Sequence, residues 1–171
     1  MIKLIYVVEK PHLIFRHYGS RNFSKVKFKK VRNWQLPKPL GGLWGSPVDS
    51  DNSWINFCEK ENNIFIYDKN DYFDFSIKEN AKILVIREET DCLGLPKIEG
   101  PVGGLTEKMW KEILDIYGRE YLDYEKLMQS GIDAIIYEIN DFVNEKFPAI
   151  DVDSICVLNP DVVEQKNTKQ K

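Results

Sequence analysis

The sequence predicts an α+β domain built on a mixed, mainly antiparallel sheet with a few short helices. Three observations carry this. Short runs rich in Ile, Val, Phe and Tyr recur at both ends of the chain, a strong amphipathic pattern lies between them, and turn residues punctuate the rest at short intervals. At 171 residues, 43% of them apolar, the chain is long enough for one domain with its own core. Residues 1–163 are assigned to that domain. The polar stretch 164–171 lacks apolar periodicity and is assigned to a disordered tail.

Taken in order, residues 2–8 and 12–18 read as strands separated by the Lys10-Pro11 break. Residues 24–32 alternate Lys with Val and Phe, the pattern of a half-buried strand or an extended arm. Pro37, Pro39 and Pro47 with Gly41, Gly42 and Gly45 make 34–47 largely loop. Ser50 or Asp51 then caps a short helix from about Ser53 to Lys60, in which Trp54, Phe57 and Cys58 recur at helical spacing. Residues 63–67 and 71–77 read as short strands, and the run Lys82-Ile83-Leu84-Val85-Ile86 as a central one. After an irregular stretch over 90–104, Thr106 caps a helix whose Met109, Trp110, Ile113, Leu114 and Tyr117 form an apolar stripe facing the core. A second short helix over 124–129 stops at Gly131. Residues 132–139 and 154–158 are closing strands, the latter ended by Asn159-Pro160.

Composition narrows the function classes. The apolar run at 1–8 is ended by Glu9, Lys10 and Pro11 too soon for a signal peptide or a membrane span, so the chain is expected in the cytoplasm with no membrane partner. Cys58, Cys92 and Cys156 are odd in number and lack a CxxC pairing, which predicts reduced, packed thiols. With only His12 and His17 as histidines, no metal centre is expected. The net charge of −3 is unevenly spread: residues 1–40 hold ten Lys and Arg against Glu9 alone. The segment from Arg21 to Arg32 is therefore either a solvated strand face or a patch for phosphates and nucleic acid.

The segment Gly41-Gly42-Leu43-Trp44-Gly45-Ser46-Pro47, with Ser50, Asp51, Ser53 and Trp54 beyond it, combines permissive backbone, short hydroxyls and flat aromatic faces. That mixture suits a ligand wall. The earlier run His17-Tyr18-Gly19-Ser20 points to the same nucleotide pocket. Each feature has a plainer reading beside it: core aromatics for Trp44 and Trp54, a hydrogen-bonded strand residue for His17, a hinge for Gly41-Gly42.

In chain order, Phe15-Arg16-His17-Tyr18-Gly19-Ser20, then Gly42-Leu43-Trp44-Gly45-Ser46-Pro47 with Trp54, then Phe75-Ser76-Ile77 and Ala81-Lys82-Ile83-Leu84-Val85, then Gly131-Ile132-Asp133-Ala134-Ile135 and Ser154-Ile155-Cys156-Val157-Leu158-Asn159-Pro160, resemble the ADP-ribosyltransferase superfamily in its small bacterial and phage members. The resemblance implies a fold with sheets flanking a cleft, NAD as substrate without a metal, and transfer of ADP-ribose to a macromolecular acceptor, protein or nucleic acid. It further implies that Asp153, His17 and Ser46 are catalytic and that Arg16, Tyr18, Gly19, Ser20, Gly42, Trp44 and Trp54 bind the nucleotide. Where the family has a glutamate this chain reads Asp151-Val152-Asp153-Ser154, so Asp153 is the first choice of carboxylate, with Asp151 and Glu138 as the others. His17-Tyr18 is reversed from the family's Tyr-His, and strand alternation puts Arg16 and Tyr18 on one face and His17 on the other. Two alternatives stand beside the transferase: a degenerate domain of the same fold that binds a nucleotide or a partner protein, and a nucleic-acid-binding module using the basic N-terminal arm.

Overall fold

Runs of β-branched and aromatic residues become the strands, and the polar-flanked amphipathic stretches become the helices. A computed structural model describes residues 14–34, 36–61, 68–117 and 121–166; the strands expected at 2–8 and 63–67, and residues 167–171, lie outside them. The strands are β1 (Phe15–Tyr18), β2 (Leu43–Pro47), β3 (Tyr72–Ile77), β4 (Ile83–Ile86), β5 (Ala134–Tyr137), β6 (Ser154–Val157) and β7 (Val163–Lys166). The helices are α1 (Trp54–Lys60), α2 (Glu107–Tyr117), α3 (Tyr124–Gln129) and α4 (Asp141–Lys146), with 3-10 turns at Glu89–Cys92 and Pro160–Val162. The described strands join in one seven-stranded open sheet, ordered β4-β5-β6-β2-β1-β3-β7. Among these pairs only β4 and β5 run parallel. The class is α+β with a mostly antiparallel sheet.

Alternation sorts the sheet into two faces. Leu84, Ile86, Ile135, Tyr137 and Cys156 point to one side, where Tyr124 and Leu127 of α3, Val143 of α4 and Phe147 close a core over them. On the other side Phe15, Phe73, Phe75, Leu43, Ile83, Val85, Ile136, Ile155 and Val157 form a second core, against which Phe23 and Phe28 pack. The helices cover the first face only near β4, β5 and β6. Further along that face the register pairs Trp44 with Cys156, Ser46 with Arg16, and Arg16 with Asp74, and polar side chains take over.

Several expectations change. β2, expected as loop, runs between β6 and β1 in the middle of the sheet. Its glycine is there for packing: a Cβ on Gly45 would stand 3.0 Å from the Phe75 ring. Among the described strands Ile83–Ile86 stands at one end of the sheet, paired to β5 alone, although all four of its residues are buried. Residues 24–32 form no strand; they turn at 25–27, leave Val26 fully exposed, and meet the following segment through an Arg32–Leu40 bridge and a Gly42 N–H bond to the Lys29 carbonyl. In the stripe of α2 Trp110 is buried to a core level, Ile113 and Leu114 are half-buried, and Met109 is exposed. Residues 164–166, expected in a disordered tail, pair with β3 as part of β7. Residues 140–146, not anticipated as helix, form α4 because Asn140 accepts the Val143 N–H as an N-cap. Among the described residues no helix is long and apolar enough to cross a membrane.

Candidate functional site

Where the helical cover ends, a cavity of about 300 Å³ opens over β1 and β2. Its wall is made by Arg16, His17 and Tyr18 of β1, Trp44, Gly45 and Ser46 of β2, Trp54 of α1, Lys38, and residues 149–154 in part, including Asp151 and Ser154. Six of the sequence-predicted site residues therefore meet: Arg16, His17, Tyr18, Trp44, Ser46 and Trp54. Gly19, Ser20, Gly42 and Asp153 are not in the wall.

Arg16 and Tyr18 share a face, as strand alternation requires. The Arg16 guanidinium forks onto Asp74, with Nε to Oδ1 at 2.7 Å and a terminal nitrogen to Oδ2 at 2.9 Å, and its carbon lies 3.8 Å from the centre of the Tyr72 ring. The Asp74 hydrogen bond and charge hold Arg16 even further above its already high range, against the opposing pull of burial. Its charge is thus matched within the protein. His17 turns its ring to the other face, tilted against Phe73 at 5.2 Å, and Nδ1–H donates to the Trp44 carbonyl at 2.7 Å. Burial lowers its pKa below the ordinary 6.5, so it is a neutral imidazole at neutral pH.

Ser46 is 5% exposed and fully employed. Its hydroxyl donates to the Asp153 carbonyl (2.9 Å) and accepts the Trp54 N–H (3.0 Å), the first amide of α1, where Ser53 at the N-cap offers no side-chain bond. The sequence expectation of Ser50 or Asp51 as the cap is thus replaced by a hydroxyl from the sheet.

Asp153, the first choice of catalytic carboxylate, is a structural fastening. Oδ1 accepts the Ile139 N–H at 2.7 Å and Oδ2 accepts the Ser50 hydroxyl at 2.6 Å. Asp151 is the carboxylate in the wall, and it is exposed. In an extended strand Asp151 and Asp153 would share a face, but β6 begins only at Ser154; residues 152–153 form a bend, where the period-two rule does not hold. Glu138 is also absent from the wall.

Gly19 and Ser20 leave the cavity at the end of β1. The Gly19 N–H donates to the Asp71 carbonyl, and the Ser20 hydroxyl donates to the Asn22 carbonyl. Gly41 and Gly42 serve backbone packing instead of a ligand. Both have positive φ, and a Cβ on Gly41 would lie 2.6 Å from the Lys30 carbonyl oxygen, one on Gly42 3.0 Å from the Cys156 sulfur.

Lys38 is the wall residue that the sequence reading missed. It is half-buried between Pro37 and Pro39, with Nζ 4.9 Å from the centre of the Trp44 ring. Burial pulls its pKa down while the charge of Asp151 opposes that pull. The available signal was a lysine fixed between two prolines, three residues before the glycine–tryptophan segment begins at Gly41. Trp44 is also stacked with Tyr137, and Trp54 with Phe57.

Cys58, Cys92 and Cys156 are free thiols, the first and last of them buried. No group of three or more His, Cys, Asp or Glu placed to hold a metal occurs among the described residues. No family model, curated protein or solved structure matches the chain.

Proposed function

We propose that this cavity binds NAD and that the chain passes ADP-ribose from it to a macromolecule, as the resemblance to the ADP-ribosyltransferase superfamily implies. The observation that carries the reading is the convergence of segments 16–18, 44–54 and 151–154 on one opening of about 300 Å³. That size is at the small end of small-molecule sites, roughly 300–1,000 Å³. It suits one nucleotide half, with the other lying over the rim.

In this reading Trp54, whose ring stacks on Phe57 alone among the described residues, supplies a flat face for the nicotinamide ring, whereas the Trp44 ring is contacted by both Tyr137 and Lys38. Asp151 takes the carboxylate's role. The bond from ribose C1′ to the nicotinamide nitrogen breaks with its electron pair leaving on nicotinamide, and C1′ gains oxocarbenium character. A nearby carboxylate lowers the energy of that positive charge. An acceptor oxygen or nitrogen forms the new bond to C1′, and its proton passes to Asp151 or to solvent. Ser46 and Asp153 keep β2, α1 and the entry to β6 in place around the reacting atoms. The exposed cations Lys27, Lys29, Lys30 and Arg32 favour nucleic acid as the acceptor, since Arg32 pairs with Leu40 two residues from Lys38.

The test is nicotinamide release from NAD in the presence of RNA, DNA or protein acceptors. Asp151→Asn is expected to cut turnover by about 10²–10³ with the melting temperature unchanged, and turnover by Asp151→Asn equal to wild type would remove this role. A second reading, NAD binding without turnover, is favoured by the absence of any glutamate from the wall and by the commitment of both Asp153 oxygens. Binding by calorimetry with no nicotinamide release would select it, and no binding would end both.

A further inference from the structure

Three basic side chains reach the cavity, and they are not equivalent. Arg16 is matched in charge by Asp74 through two hydrogen bonds. His17 is neutral, with Nδ1–H given to the Trp44 carbonyl. Lys38 has no ion-pair partner among the described residues; its ammonium rests over Trp44, and Asp151 attracts it from beyond pairing distance. A cation withdrawn from water and unmatched in charge draws an anion more strongly than an exposed one, because its field is less screened. Lysine is a point-charge donor with three N–H bonds, which fits a phosphate oxygen from any direction. The two flanking prolines and the contact with Trp44 restrict where that charge can sit.

We propose that Lys38 is the phosphate-binding residue of the cavity, so that the ligand is a phosphorylated nucleoside whose phosphate lies on Lys38 and whose ring lies toward Trp54. This rests on the nucleotide reading of the same cavity and divides its wall by charge. Lys38 takes the anion, Asp151 the electron-poor sugar, and Arg16 with Asp74 is a neutral structural pair. Arg16, which the family resemblance placed among the nucleotide-binding residues, gives up the anion to a lysine that only the folded chain brings to the site.

Nicotinamide mononucleotide and nicotinamide riboside differ by the phosphate alone, and their affinities for the full chain isolate its contribution. The wild type is expected to bind the mononucleotide at least about tenfold more tightly than the riboside, the ratio that a charge-assisted hydrogen bond supports. Lys38→Met is expected to erase that difference while leaving riboside affinity unchanged, and Lys38→Arg to keep most of it. Lys38→Gln repeats the measurement should the methionine variant fold poorly, with thermal melting as the check. A Lys38→Met or Lys38→Gln protein that melts like wild type and still prefers the mononucleotide by the same ratio overturns the assignment. If neither nucleoside binds but inorganic pyrophosphate does, and Lys38→Met abolishes it, the anion site stands and the NAD reading falls. If pyrophosphate also fails to bind, both fall.

Discussion

His17 is the residue whose chemistry the fold fixes most tightly. Because a carbonyl oxygen can only accept, the bond to Trp44 puts the proton on Nδ1, and contact with Phe73 leaves little room to hydrate a charged ring. Burial lowers the folded-state pKa below 6.5, so as pH falls through about 6.5 the unfolded chain takes up a proton that the folded one refuses. Stability is therefore full above that pH and is lost progressively down to the lowered pKa. The urea midpoint of the wild type is expected to drop between pH 7 and 5, and His17→Gln to drop less; parallel curves would show that His17 is solvated. Residue by residue, the candidate site was partly legible. Hydroxyls, tryptophans and β1 side chains announced themselves by type, but choosing Asp151 over Asp153 required knowing that β6 starts at Ser154. Lys38 was passed over because a lone lysine in a proline-rich loop ordinarily faces solvent, and its place between two prolines is a weak signal by itself.

At the scale of elements, one hydroxyl joins three of them. Ser46 belongs to β2, holds the first amide of α1 and grips the carbonyl just before β6. Ser46→Ala leaves the part-buried Trp54 N–H and Asp153 C=O without this partner, which is expected to cost about 1–3 kcal/mol. Chemical denaturation measures this directly. If Ser46 bears only on structure, nicotinamide release per folded molecule changes far less than stability; an unchanged denaturation midpoint with lost activity would make it a group acting on the substrate. Strands with dense β-branched runs, β4 and β5, were legible because their composition leaves few alternatives. β2 was not, since Gly45 and Pro47 are loop residues by local preference; its place follows from Gly45 fitting beneath Phe75 and from pairing on both sides. α2 reads as a core helix from its stripe, yet of Met109, Trp110, Ile113 and Leu114 only Trp110 is fully buried, and α3 and α4 supply the cover over the sheet.

For the whole molecule, the class was legible and the strand order was not. The order β4-β5-β6-β2-β1-β3-β7 brings residues 16–18 beside 44–46, and 44–46 beside 154–156, through contacts far apart in sequence that no local pattern encodes. Unequal helical cover then does the rest: α3 and α4 shield one end of a sheet face, and the other end is left as a cavity walled by two tryptophans, a lysine and an aspartate. The central claim is that this cavity is the ligand site, and the chain's four tryptophans report on it separately. Trp44 and Trp54 line it, Trp110 is buried under α2, and Trp34 is exposed outside the wall. Titrating NAD into the ¹⁵N-labelled protein and following the four indole N–H resonances is the most direct test. The expected result is that the Trp44 and Trp54 resonances move together along one saturating curve while those of Trp34 and Trp110 stay in place; four unmoved resonances, or movement confined to Trp34 and Trp110, would contradict it.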